Sequence, residues 1–411
     1  MAPSAKHAQR RRRVTVIGGS MSGLFAGLML RAEGWEVDLY EKVEGEMSGR
    51  GAGIVAQPEI LSALRALGVD TGALGVAVQK RRLFDPSGSL TLEIDCPQVM
   101  TSWERVYRIL RDAFPQVHYH RGHSLATIEQ DGDGVTAIFA SGERVTADLL
   151  IGADGIRSTV RGICAPESQP LYAGYAAWRA LIAESAMPPQ VHRDIFPVMA
   201  FCLPPGEQML GYPVAGPDDD VRPGRRRYNM IWYRPADEHT GLAALLTDES
   251  GARHAISIPP PLISRASIAA MREAAGRLLA PQFVEAVGLV DQPILQPIFD
   301  LVSDRIAFGR IAIIGDAAFV ARPHVGAGVA KAAGDAAALT AALGSTDDIT
   351  AALRHFEAQR LPEGLRMVQR ARHLGAYLQA ARSSEEAALA ARHSVAEAVL
   401  EETATLDFLY A

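Results

Sequence analysis

The stretch VTVIGGSMSGLFAGLML, residues 14–30, changes character part-way along. Val14 to Ile17 is a short apolar run suited to a buried strand, Met21 to Ala32 carries apolar residues on most faces of a helix, and Trp35 to Tyr40 reads as a second strand. The unit is therefore βαβ. Its first turn has the outer glycines of a GxGxxG pattern at Gly18 and Gly23, with Ser20 where the middle glycine would stand. Gly18 allows the tight turn and Gly23 lets the helix pack close to the strand. Ser20, Met21 and Ser22 open the helix, whose unpaired N–H groups face a pyrophosphate. Glu41 closes the second strand, where a carboxylate accepts hydrogen bonds from an adenosine ribose. The motif predicts an adenine dinucleotide and does not choose between NAD and FAD.

Two distant segments make that choice. LLIGADGIR, residues 149–157, runs from an apolar strand into Asp154 and Gly155, and RIAIIGDAA, residues 310–318, is another strand that ends in Gly315 and Asp316. A simple nicotinamide dehydrogenase needs neither. A carboxylate at a strand end, followed by small residues that start a helix, bonds a polyol chain while the helix terminus faces a phosphate. FAD is the expected cofactor.

With these motifs the chain resembles the class A flavoprotein aromatic hydroxylases, the single-component monooxygenases of the para-hydroxybenzoate hydroxylase type, from about Val14 to Leu365. The resemblance implies that Asp316 bonds the flavin ribityl chain and that Asp154 and Gly155 serve FAD and the nicotinamide donor. It places SGRGAGIV, residues 48–55, beside the flavin, adding Arg50, Gly53 and Ile54, with Leu125 counted among the cofactor contacts. Pro323, Gly326, Gly328 and Asp335 match the loop along the isoalloxazine and the helix after it, and Ala327 and Val329 are counted among the cofactor contacts. Phe319 replaces a frequent His, Ala327 a frequent Gln and Ala330 a frequent Asn. Contacts made by those side chains elsewhere are absent here or fall to the backbone. Within the family, VIGGSMSGL, SGRGAGIVAQPEIL, YAGYAAWRA and IGDAAFVARPHVGAGVAKA are most similar to a subgroup that hydroxylates dihydroxypyridines, as is Trp103 where a basic residue is common.

The resemblance implies that NADH or NADPH reduces FAD, that reduced flavin captures dioxygen, and that a flavin C(4a)-hydroperoxide transfers one oxygen to an electron-rich ring. The expected partners are a small hydroxylated aromatic, most simply a hydroxypyridine, and dioxygen. Phenolic or hydroxynicotinate-like acids are the alternative substrates, and a non-hydroxylating FAD reductase is the alternative activity. The WxWxIP segment of flavin halogenases does not occur. His324, in RPHVGAG beside the flavin loop, is the candidate for deprotonating a ring hydroxyl, a task suited to a side chain titrating near neutrality. Trp178, Tyr212, Pro323 and His324 are the candidate substrate contacts, the aromatics as a wall over the flavin.

The expected fold is α/β: a Rossmann-like FAD-binding domain with an inserted, mostly antiparallel β-sheet substrate domain and C-terminal helices. Residues 1–78, 100–171 and 285–375 form the first, 79–99 and 172–284 the second, and 376–411 the last. In the insert, Tyr172 to Ile182, Val191 to Cys202, Gln208 to Val214 and Arg227 to Arg234 suit strands. Two uses fit the helical end, closing the flavin domain or forming a homodimer interface.

Composition excludes other classes. A net charge of −6 across 411 residues gives no basic field for nucleic acid, since Arg10 to Arg13 is a short run before the first strand. No other segment reaches the ~18 apolar residues of a membrane span, so a cytoplasmic location is expected. Cys96, Cys164 and Cys202 are too scattered for a zinc site or a disulfide framework, and no metal is expected.

Overall fold

A computed structural model describes residues 11–45, 47, 53–72 and 74–409. The first strand is Arg13–Ile17, the helix is Met21–Ala32, as expected, and the next strand is Glu36–Glu41. Leu24, Phe25, Ala26 and Leu30 of the helix are buried against the sheet. Among the described residues this sheet has six strands: Ala307–Phe308, Ile311–Ile313, Leu149–Gly152, Arg13–Ile17, Glu36–Glu41 and Tyr119–Arg121, in that spatial order. All are parallel except Ala307–Phe308, and Ile17 lies opposite Gly152 on one side and Tyr40 on the other. In parallel sheets, ligands sit beyond the carboxyl ends of the strands. Gly18, Asp154 and Asp316 follow such ends, and Glu41 is the last residue of its strand.

Among the described residues a second sheet of nine strands runs from Phe319–Val320 through Ile294–Val302, Leu171–Ala183, Arg227–Pro235, Gln208–Val214, Met199–Cys202, Val76–Phe84 and Leu90–Ser102 to Gly53–Val55. It is antiparallel except where Met199–Cys202 meets Val76–Phe84. Two expectations are corrected. Ile294–Val302 pairs with Leu171–Ala183, so the insert's sheet extends beyond the boundary expected at residue 285. A local reading of apolar content could not see that pairing. The expected strand at 191–202 is instead a helix, Pro189–Ile195, followed by a short strand. Pro189 suits the first helical turn, and Val191 and Ile195, four residues apart, are buried on one helical face.

Helices Arg265–Leu278 and Pro281–Gly288 cover the back of this sheet, burying Trp178, Ile182, Tyr228 and Trp232. The other face carries Tyr175, Ala177, Met199, Leu210, Tyr212, Ile231 and Tyr233. The helical end begins with Gly328–Ser345 and Ile349–Gly375, and the latter runs through Pro362 without breaking. No helix among the described residues is long and apolar enough to cross a membrane.

One buried ion pair joins these parts. Arg322 donates to both oxygens of Asp300, at 2.9 to 3.1 Å, and Arg372 of the long helix reaches the same carboxylate at 3.2 Å. Asp300 lies on the second sheet and Arg322 in the loop between that sheet's edge strand, Phe319–Val320, and helix Gly328–Ser345. Removing one partner of a buried pair costs about 3–5 kcal/mol, because it strands the other charge. Asp300→Ala is therefore expected to lower unfolding free energy by about that amount in a urea titration.

Candidate functional site

The turn after the first strand is fixed from several directions. Gly18 has φ +109°, and a Cβ there would lie 2.3 Å from the carbonyl oxygen of Ala153. A Cβ on Gly23 would lie 1.9 Å from the Gly18 carbonyl oxygen, so Gly23 serves packing and does not line the cavity. Glu41 accepts from the N–H of Gly19 at 2.8 Å and of Val43 at 2.9 Å, while Tyr119 donates to the Gly19 carbonyl at 2.8 Å. Ser20 precedes the helix without a side-chain capping bond, which leaves the first N–H groups available to a ligand.

The two Gly-Asp segments behave differently. The Asp154 carboxylate accepts from the Ser158 hydroxyl at 2.5 Å and from the N–H of Thr159 and Val160, capping the short helix Thr159–Cys164. Gly155, at φ +77°, has open space above it. Asp316 keeps a half-exposed carboxylate, held by the buried Lys331 ammonium at 2.9 Å, which also donates to the Phe319 carbonyl. Beyond it the chain turns at Gly326, φ +63°, into helix Gly328–Ser345, whose N-terminus also lacks a side-chain cap.

These groups surround one cavity of about 810 Å³, a volume typical of small-molecule and cofactor sites. Gly18, Ser20, Met21, Ser22, Glu41, Gly53, Ile54, Leu125, Asp154, Gly155, Asp316, Gly326, Ala327, Gly328 and Val329 all line it. Arg50 lies outside the described residues. On the substrate side, Tyr212, Pro323 and His324 line the cavity. Trp178 does not, and its expected substrate contact is corrected. Side chains alternate along a strand, and Trp178 belongs with Ala176 and Ala180 to the face buried under the helices. Its neighbour Arg179 lines the cavity instead; the sequence reading missed it by one residue.

His324 is 3% exposed and shares a 2.8 Å hydrogen bond with the Tyr175 hydroxyl. Burial, with Arg322 nearby, pushes its pKa down to about 3. The expectation of an imidazole titrating near neutrality is thereby corrected: in this setting His324 is neutral. The sequence reading also missed Thr403 and Ala404, which line the cavity. The N–H of Ala404 donates to the His324 carbonyl at 2.6 Å, and its own carbonyl accepts from Gln57 at 3.0 Å and Gln98 at 2.9 Å. The C-terminal segment thus packs over the flavin-loop side of the cavity.

A family signature described as FAD binding domain-like matches residues 172–300. Over 372 residues the chain is 31% identical to 2,6-dihydroxypyridine 3-monooxygenase of Paenarthrobacter nicotinovorans, covering 89% of this chain and 91% of that protein. The chain belongs to the FAD-dependent aromatic monooxygenases. The solved 2,6-dihydroxypyridine-3-hydroxylase from Arthrobacter nicotinovorans superposes with a TM-score of 0.85 at 30% identity, over 90% of this chain and 93% of that one. Klebsiella pneumoniae HpxO, solved with FAD and uric acid, shares the fold at a TM-score of 0.74 and 22% identity, over 97% of this chain and 95% of that one.

The monooxygenase site fits FAD on its own features. Two uncapped helix N-termini face the cavity, suited to phosphate, and Glu41 and Asp316 present acceptors suited to ribose and polyol hydroxyls. NADH or NADPH supplies the electrons in this family. No group of three or more His, Cys, Asp or Glu side chains among the described residues is arranged to hold a metal.

The position of His324 generates a test. Its folded pKa of about 3 lies below an unfolded value near 6.5, so protonation favours the unfolded chain. Its contribution to stability is complete above about pH 6.5 and declines as pH falls toward the folded pKa, by about 1.4 kcal/mol per unit. Denaturant unfolding between pH 7 and pH 5 should show the wild type losing more stability than His324→Asn.

Proposed function

We propose that this monooxygenase hydroxylates a hydroxypyridine, with 2,6-dihydroxypyridine as the first substrate to try, using NADH or NADPH and dioxygen. The observation that carries this reading is a likeness to the dihydroxypyridine enzyme that spans nearly the whole chain, including the sheet over the cavity. Bound FAD supplies the redox chemistry, accepting electrons from the nicotinamide and activating dioxygen.

The roles of the protein groups follow from their placement. The N–H groups at Ser20 to Ser22 hold the pyrophosphate and Glu41 holds the adenosine ribose. Lys331 orients the Asp316 carboxylate toward the ribityl chain. The turn and helix start from Gly326 to Val329, with Gly53 and Ile54 opposite, border the isoalloxazine. Tyr212, Pro323 and His324 orient the aromatic ring, with Thr403 and Ala404 helping to exclude water. His324 joins Tyr175 as a neutral hydrogen-bonded pair that fixes the loop.

Purified protein should be yellow, oxidise NADH or NADPH faster when 2,6-dihydroxypyridine is added, and consume dioxygen with formation of a trihydroxypyridine. Accelerated oxidation that yields only hydrogen peroxide would reject this substrate. Asp316→Ala removes a charged acceptor and should weaken FAD binding about 10- to 100-fold, read as flavin released on desalting and titrated back by fluorescence.

A further inference from the structure

The second sheet presents hydrogen-bond donors to the cavity and no carboxylate among its described lining residues. Arg179 donates from one terminal nitrogen to the Gln296 amide oxygen at 2.7 Å, whereas its buried Nε has no partner. The described residues provide no carboxylate paired with it. Tyr233 lies on the strand next to that of Arg179 and Tyr212 on the strand beyond it, both buried and both lining the cavity, and their hydroxyls have no hydrogen-bond partner among the described residues. Burial raises the Tyr212 hydroxyl pKa, and that of Tyr233 to about 12, so both stay protonated despite the nearby charge of Arg179. The other cations at this part of the cavity are engaged, Arg322 by Asp300 and Lys331 by Asp316.

A half-buried cation with an unused donor is costly unless something supplies a counter-charge. We propose that Arg179 is the specificity-determining residue of the substrate pocket. It binds the aromatic substrate as an anion through an ionised ring oxygen, while Tyr212 and Tyr233 donate to the ring's remaining acceptors. This deepens the hydroxypyridine reading and rests on it for the identity of the ring. An ionised ring oxygen also makes the ring electron-rich, which oxygen transfer to carbon requires. The selected class is a small aromatic with at least two oxygen acceptors and a net negative charge.

The test uses the FAD-loaded protein and measures ligand dissociation constants from the change in flavin absorbance. The probes are 2,6-dihydroxypyridine, at a pH where it is ionised, and 2,6-dimethoxypyridine, which keeps the acceptors and cannot ionise. Arg179→Gln should weaken the first about 10- to 100-fold and leave the second and the FAD content unchanged. Arg179→Lys should recover part of the loss, since an ammonium keeps the charge without the planar fork. Equal affinity of wild type and Arg179→Gln for the ionised ligand overturns the proposal, as does an equal loss for the neutral ether. If the wild type does not bind 2,6-dihydroxypyridine, the hydroxypyridine reading falls by itself. The same comparison with 6-hydroxynicotinate and 3-hydroxybenzoate then decides the role of Arg179, and no Arg179-dependent binding of either anion overturns it.

Discussion

Parallel strands carry their hydrogen bonds in a register that aligns their ends, and this constraint organises the molecule. Ile17, Tyr40, Gly152 and Ile313 stand side by side in the first sheet. The next residues along each strand are therefore forced to one edge: Gly18, Glu41, the Ala153–Asp154 turn and the Ile314–Asp316 turn. No single loop contains a cofactor site. Backbone pairing assembles one from segments far apart in the chain, and it aims the helix N-termini that follow two of the strands toward the same space.

The second sheet closes that space, and polar anchors hold it there. Asp300 takes arginines from the flavin loop and from the long C-terminal helix, so a single carboxylate ties the roof, the loop and the helix together. Ala404 adds three hydrogen bonds that bring the C-terminal segment onto the His324 loop and the strands across from it. Water exclusion matters for oxygen transfer, and these contacts supply walls for it.

Burial then changes what individual groups can do. His324 lines the cavity, yet the surroundings that place it there also hold it neutral. Asp154 and Asp316 follow the same kind of strand end and look alike in sequence. One is consumed in capping a helix, while the other projects into the cavity under the control of Lys331. Equivalent motifs thus have different electrostatic uses, decided by which neighbours the fold delivers.

The sequence by itself determined the dinucleotide unit, the choice of FAD and the general architecture, because glycine turns, strand-end carboxylates and apolar periodicity act over a few residues and leave local signatures. Most of the residues it named for the cofactor line one cavity. Only tertiary structure decided which face of each substrate strand meets the cavity. Trp178 and Arg179 differ by one position, and strand alternation sends them to opposite sides. The extension of the sheet through Ile294–Val302 and the arrival of Thr403 and Ala404 were likewise invisible locally, since both rest on contacts between distant parts of the chain. The protonation state of His324 belongs to the same class: desolvation is a property of the whole surroundings of a side chain, which no neighbouring letters encode.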